Sequence, residues 1–554
     1  MNKNEKTACR IAVIVGIVTL LSYLGSLSCG FINLDDPFYV ANNPFIKNLD
    51  FSTLYRLFTE AHLGGWLPLT YLSFAVDYHI WGTNPAGYHL TNVLLHAINA
   101  GLVVHVSDRL MRAQGRGMRG EGEDFSTLIG SSQLSSVQWY SAMLLLAGLF
   151  WGLHPLRVES VAWVAERKDV LNGFFTLTAL LVYLDFVRRK ESGAGVDQFR
   201  YLLALGFFVL SLMAKQVSVT LPVILLLLDW YPLGRFGKGK LLPLLVEKVP
   251  FFGVAACITL ATIYFAAEEK MLSSMQDLPF YVRVLASGNA IFEYCRLTLY
   301  PVNISPYVVL TKPLPTSYLV KTAVVAVITL YLLWKRQPRP VAATWFAFVI
   351  VLLPMLAFVQ AGDDIALAAR YTYLPAIAPA IAAAAALGLL VERLLAKGSR
   401  RCAAALVGIC AVFLALNVGI TLKLINVWKD TGSFWSRVIE IRPVGRAYAD
   451  RGVFSLINGR AAAAIEDFTE AIRIAEGANL LNKIYNLYAF RGVALSDVGR
   501  YAEAVADFDK AIELFPHPTY FQQRARALEA LGKVAESKED LRRAGANPPP
   551  LDWF

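Results

Sequence analysis

Long apolar runs follow one another from the start of the chain to about residue 425 and then stop. Runs near ~18 residues or longer read as helices that cross a membrane. The pattern predicts spans over residues 11–28, 88–106, 137–153, 170–187, 201–213, 217–230, 249–266, 318–334, 341–359, 373–394 and 402–422, about eleven in all. The apolar cores of 201–213 and 217–230 are short and meet at Lys215-Gln216. The segment 281–300 is helical in pattern but carries Arg283, Asn289, Glu293 and Arg296, which reads as an amphipathic helix on the outer surface rather than a span.

Beyond the last run the periodicity is that of a soluble helical repeat. Arg451-Gly452, Arg491-Gly492 and Arg524-Ala525 open three aligned segments that end at Gly459, Gly499 and Gly532. Ala464, Phe468 and Ala471 then match Ala504, Phe508 and Ala511, with Ser537, Leu541 and Ala544 in the third copy. Those glycines are 40 and 33 residues apart, and a period near ~34 with small residues at helix contacts is the tetratricopeptide pattern. Extra residues in the first interval fit a longer loop over 476–483. Each copy buries its apolar face only against its neighbours, so about three copies form a minimal stack. The stack offers a concave surface to a protein or peptide, or acts as a stabilising cap or dimer contact. The expected fold is therefore all-α: a polytopic membrane helix bundle over residues 1–425, a linker over 426–444, and an α-solenoid of about three tetratricopeptide repeats over 445–548.

Charge sets the topology. Lys3, Lys6 and Arg10 precede the first span and place the N-terminus in the cytoplasm. Basic loops at Arg109 to Arg119, Arg188 to Lys190, Arg235 to Lys240, Lys335-Arg336 and Lys397 to Arg401 then fall on the same side. An odd number of spans puts the repeat domain outside, which in a bacterial inner membrane is the periplasm. The net charge of +10 is thus a topology signal and does not indicate nucleic acid. With 56% hydrophobic residues and a mean hydropathy of +0.48, the averages conceal this two-part division. The six cysteines lie at no metal-ligand spacing; Cys29 and Cys295 could both face an oxidising side and pair there.

The first outer loop holds an Asp-Asp pair, Asp35-Asp36, followed by Pro37. Adjacent carboxylates at a membrane surface repel and are hard to desolvate, so taking a proton or holding a cation is the chemistry that keeps them there. Asp-Asp-Pro also suits a turn or helix cap. A second charged block, His154 to Asp169, joins two spans on the same side and holds Arg157, Glu159, Glu166, Arg167 and Lys168. It is either a substrate pocket or a set of internal ion pairs with headgroup contacts. His89 and His96 flank Asn92 at helical spacing, as metal ligands or as packed, hydrogen-bonded side chains. No Gly-rich phosphate loop, zinc box or nucleophile elbow is present.

Several blocks together resemble the transmembrane and tetratricopeptide-repeat O-mannosyltransferases and their bacterial relatives among the GT-C glycosyltransferases. They are Asp35-Asp36 with Tyr39 and Asn43-Pro44, Trp66 to Phe74, Trp81 to Asn92 with His96, and His154 to Asp169. Lys215, Leu221-Pro222, Asp229 to Pro232 and Arg370 to Pro375 complete the set. Gln216 departs from the Glu that relatives often carry there. The resemblance implies a GT-C-like fold with its site at the outer surface, a polyprenyl-phosphate sugar donor, mannose-like, and a hydroxyl acceptor such as Ser or Thr of a protein presented by the repeats. It makes Asp35 the candidate base and Asp36 its partner. Arg167 or Lys168, with Lys215 and Arg370, become candidates for the phosphate, and His154 or Glu159 for shaping the pocket. No cofactor is specified, and a divalent cation has room beside the carboxylates. The alternative is a non-catalytic membrane scaffold that recruits partners through its repeats; an intact set of Asp35, Asp36, Glu159, Arg167 and Lys215 speaks for the enzyme.

Overall fold

Each apolar run contains a helix, because inside a bilayer only a helix satisfies its own backbone groups. In the computed structural model the described residues are 3–60, 66–117, 137–193, 195–237, 239, 241–268, 278–310, 313–335, 338–357, 365–477 and 484–545. Among them, seven helices are long and apolar enough to cross a membrane: Glu5–Ser28, Pro85–Ala113, Val164–Glu191, Leu241–Phe265, Ser317–Lys335, Ile377–Ala396 and Arg400–Val427. An eighth, Trp139–Gly152 with Pro155–Ala162, is bent by 51°. The other three expected spans are shorter apolar helices, Gln198–Ala214, Gln216–Trp230 and Arg339–Met355. The chain is an integral membrane protein, and its described residues are all-α apart from a two-strand antiparallel pair, Val308–Val309 with Ile365–Leu367.

Small residues allow a close helix approach. A Cβ on Gly16 would stand 3.3 Å from the Ala97 carbonyl oxygen, and one on Gly101 would stand 3.3 Å from that of Ala12. This reciprocal contact lets the first helix lie against Pro85–Gly117 backbone to backbone. At one end of these helices Glu5 pairs with Arg109 at 3.9 Å and Arg188 at 3.5 Å, and Asp185 pairs with Arg109 at 3.0 Å. Arg109 and Arg188, from two of the basic loops, therefore stand together at one end of these helices. The segment read as a surface amphipathic helix, Phe280–Leu299, packs against Ser317–Lys335 and pairs its charged side chains within the protein. Arg283 Nε donates to the Leu278 carbonyl at 2.9 Å, and Glu293 meets Arg296 and Lys321, each at 2.6 Å. All six cysteines are free, so Cys29 and Cys295 are not paired.

The second compact unit, Lys429–Phe554, is described by itself. Helices Gly445–Ile457, Ala461–Gly477, Ile484–Asp497, Tyr501–Leu514, Pro518–Ala530 and Val534–Ala544 form three antiparallel pairs. The first helix of each pair ends at a left-handed glycine: Gly459, Gly499 and Gly532 have φ of +70°, +77° and +77°. The stretch 426–444, expected to be a linker, contains the helix Thr431–Ile441, capped by Asp430 and packed on Gly445–Ile457. It folds because Phe434, Trp435 and Val438 recur at helical spacing and are buried. The inter-repeat loop expected over 476–483 falls mostly at 478–483, outside the described residues.

Candidate functional site

The two neighbouring aspartates have different environments. Asp36 is fully buried, and its carboxylate accepts the Ile32 N–H at 2.7 Å and the Ala165 N–H at 2.8 Å. It ties the loop after the first span to the turn that precedes Arg167–Glu191. Burial pushes its carboxyl up to about 7, against the pull of those two amides. The Asp35 side chain is 44% exposed, with Lys168 Nζ 3.7 Å from its Oδ2.

The block His154 to Asp169 is a sequence of short turns. His154 caps the 3-10 turn Pro155–Arg157, Val158–Ala162 follows, and a further 3-10 turn, Val164–Glu166, leads into the long helix. This broken path brings Glu159, Glu166, Lys168 and Asp169 into one cluster. Glu166 lies at its centre, meeting Lys168, Lys215 and Arg370, each at 3.2 Å. Lys215 also meets Asp169 at 2.6 Å, and Ser160 donates to the other Asp169 oxygen at 2.8 Å. Arg370, from the 3-10 turn Ala369–Thr372, pairs with Glu159 and lies over the rings of Trp163 and Tyr371. Lys168 Nζ lies 4.9 Å from the centre of the Tyr39 ring. Three cations and three carboxylates thus stand together beside Asp35. A small cleft adjoins them, lined in part by Asp169, Asn172, Lys215, Arg370 and Tyr371.

Two of the candidates lie elsewhere. The Arg167 guanidinium is fully buried, paired with Asp77 at 2.6 Å, donating to the Tyr88 carbonyl at 2.9 Å and bonded to Asn92. As the first residue of the long helix it points away from Lys168 and into the contact with Pro68–Trp81 and Pro85–Gly117. His154 meets the Thr298 carbonyl at 3.0 Å and accepts the Leu156 N–H at 3.3 Å, so both ring nitrogens serve local structure. His96 bridges Tyr373 Oη at 2.9 Å and the Gly152 carbonyl at 3.0 Å. Among the described residues no three His, Cys, Asp or Glu side chains are grouped to hold a metal ion. Glu166 and Asp169 stand in the cluster; the sequence placed both in the charged block but gave neither a role at the phosphate or the sugar. Their signal was available, since acidic residues i−2 and i+1 from Lys168 at membrane depth need partners.

Fold and cluster define a polytopic helical membrane protein with a largely buried cluster of charged side chains, joined to a tetratricopeptide solenoid. A tetratricopeptide-repeat family model matches residues 485–518, the middle copy. The chain is 25% identical over 249 residues to human protein O-mannosyl-transferase TMTC4, covering 43% of this chain and 31% of that protein. It is 31% identical over 250 residues to Drosophila melanogaster protein O-mannosyl-transferase Tmtc2, covering 42% and 23%. Mouse protein O-mannosyl-transferase TMTC2 is 26% identical over 224 residues, covering 38% and 23%. The matched part of the chain spans less than a third of the length of each of these relatives.

Proposed function

We propose that the chain is a membrane glycosyltransferase of GT-C type that moves a mannose-like sugar from a polyprenyl-phosphate donor to a hydroxyl, Ser or Thr of a protein. The reaction would take place at the outer surface of a bacterial inner membrane, with the N-terminus cytoplasmic and the repeats periplasmic, where they present the acceptor. The observation that carries the reading is the unequal aspartate pair. Asp35 is accessible beside the cluster that holds Lys168, Lys215 and Arg370, while Asp36 holds its loop in place. The names of the relatives add the reaction class.

In this reading Asp35 removes the proton of the acceptor hydroxyl as its oxygen attacks the anomeric carbon. The new carbon–oxygen bond forms as the bond to the phosphate oxygen breaks, and the phosphate leaves with the electron pair. Phosphate is already a stable anion, so cations rather than an acid serve the departure. Lys168, Lys215 and Arg370 supply them, and Glu159, Glu166 and Asp169 hold them in position. Arg167 and His154, whose polar atoms are committed to the scaffold, are left out of the phosphate and pocket roles expected from sequence.

Transfer of radiolabelled sugar from polyprenyl-phosphate mannose to peptide or protein acceptors, by protein in lipid nanodiscs, tests this. The expected result is transfer by the unaltered protein and a loss of about 10²-fold or more in Asp35→Asn. Equal transfer by Asp35→Asn would remove the base. No transfer by a folded protein across several donors and acceptors would favour the scaffold alternative.

A further inference from the structure

Asn172 lies one turn beyond Lys168 and Asp169 on the same face of Arg167–Glu191 and is fully buried. Its Nδ2 is 2.8 Å from the Ser211 carbonyl oxygen, 2.8 Å from that of Lys215 and 2.6 Å from Ser218 Oγ. Two carbonyl oxygens can only accept, so they fix which end of the amide faces them. The nitrogen caps the end of Gln198–Ala214, and the oxygen points the other way. That oxygen, Oδ1, has no hydrogen-bond partner among the described residues. A buried amide oxygen without a donor is uncommon and calls for an explanation. Asn172 also lines the cleft that Lys215 and Arg370 flank.

We infer that Asn172 Oδ1 receives a hydroxyl of the sugar in this cleft and so helps select the donor; the inference rests on the glycosyltransferase reading above. An amide oxygen cannot bond a phosphate oxygen, since neither carries a proton to share. It fits an O–H or N–H. The cations on the cleft's rim fit the phosphate. The two chemistries stand side by side, as they do in a sugar joined to phosphate through its anomeric oxygen. A ligand lacking the matching hydroxyl leaves Oδ1 buried and unbonded, which is how a polar site rejects a deoxy analogue.

The experiment compares polyprenyl-phosphate mannose with its monodeoxy analogues, using the full chain in nanodiscs, unaltered and as Asn172→Leu. The expected result is that the unaltered protein discriminates against one analogue by roughly tenfold or more, and that the variant loses this ratio whatever its overall rate. A ratio of rates is insensitive to the fraction of variant that folds. Discrimination that persists in Asn172→Leu overturns the inference and leaves the glycosyltransferase reading intact. Equal use of every monodeoxy donor by the unaltered protein does the same, and needs no variant to fold. Absence of transfer with any donor removes the glycosyltransferase reading and this inference with it.

Discussion

Arg491 and Asp507 are joined by two parallel hydrogen bonds, Nε to Oδ2 at 2.7 Å and Nη2 to Oδ1 at 2.8 Å, across the two helices of one repeat. The same fork recurs between Arg451 and Asp467 and between Arg524 and Asp540. The remaining guanidinium nitrogen reaches back to the preceding helix, from Arg451 to Ser436, from Arg491 to Thr469 and from Arg524 to Asp509. One arginine per repeat thus fixes both the pair of helices and its neighbour. The aligned arginines in the sequence are structural clamps, committed to contacts within the solenoid.

Arg491→Ala should therefore loosen the middle repeat by about 1–3 kcal/mol, because Asp507 is left buried without its donors. Arg491→Lys should restore little, since an ammonium cannot make the planar fork. Deuterium uptake by peptides from residues 484–514 of the full-length protein reads this directly. Unchanged uptake in Arg491→Ala would mean that the clamp carries no stability.

Gly492 opens the same repeat against Phe508. A Cβ there would meet the Phe508 ring at 2.9 Å, and Gly452 faces Phe468 in the same way. The third copy pairs Ala525 with Leu541 at the corresponding positions. Gly492→Ala alone should cost about 1–3 kcal/mol through overpacking. Adding Phe508→Leu should recover part of that loss, although Phe508→Leu by itself removes buried carbon. Thermal melts of the single and double variants check the sign of the coupling, and additive losses would contradict the packing argument.

The helical scaffold was readable because apolar run length is a one-dimensional signal. All eleven runs contain helices, yet three of these helices are shorter than a usual span, and the runs did not show what holds their ends. Asn172 caps Gln198–Ala214, and buried ion pairs from Asp229 to Arg235 and Lys248 hold the end of Gln216–Trp230. Those partners are distant in sequence or hidden inside apolar stretches. The candidate site was legible as a set of blocks, but individual roles were not. Which of two adjacent aspartates is buried depends on an amide 129 residues away, at Ala165. Likewise Arg167 and Lys168 are both cations at adjacent positions, and Asp77, 90 residues upstream of Arg167, together with Tyr88 and Asn92 draws one of them inward.

The Arg167–Asp77 pair has a further consequence for stability. Both side chains are nearly inaccessible, at 0% and 6% exposure. Arg167→Ala should cost about 3–5 kcal/mol, because it strands a buried carboxylate, whereas Arg167→Met with Asp77→Leu should cost much less. Size-exclusion profiles and melting temperatures in detergent separate these outcomes. A double variant as unstable as Arg167→Ala would show that Arg167 acts through something other than Asp77.

Asp36 makes stability depend on pH in a direction that its burial determines. In the unfolded chain its carboxyl titrates at its ordinary value of 3.8, and in the fold burial raises it to about 7. Between those values the folded protein binds a proton that the unfolded chain has released, so this group stabilises the fold at low pH and that contribution is lost as pH rises through about 7. The melting temperature of the unaltered protein should therefore fall from pH 5 to pH 8 more steeply than that of Asp36→Asn, which has no proton to lose at this position. Because other groups titrate in both proteins, the difference between the two curves is the quantity to read. A difference that is flat across this range, or that rises with pH, would mean that the amides of Ile32 and Ala165 hold the carboxylate charged despite its burial. The Asp35 loop would then be anchored by a permanent anion rather than by a group that changes charge near neutrality.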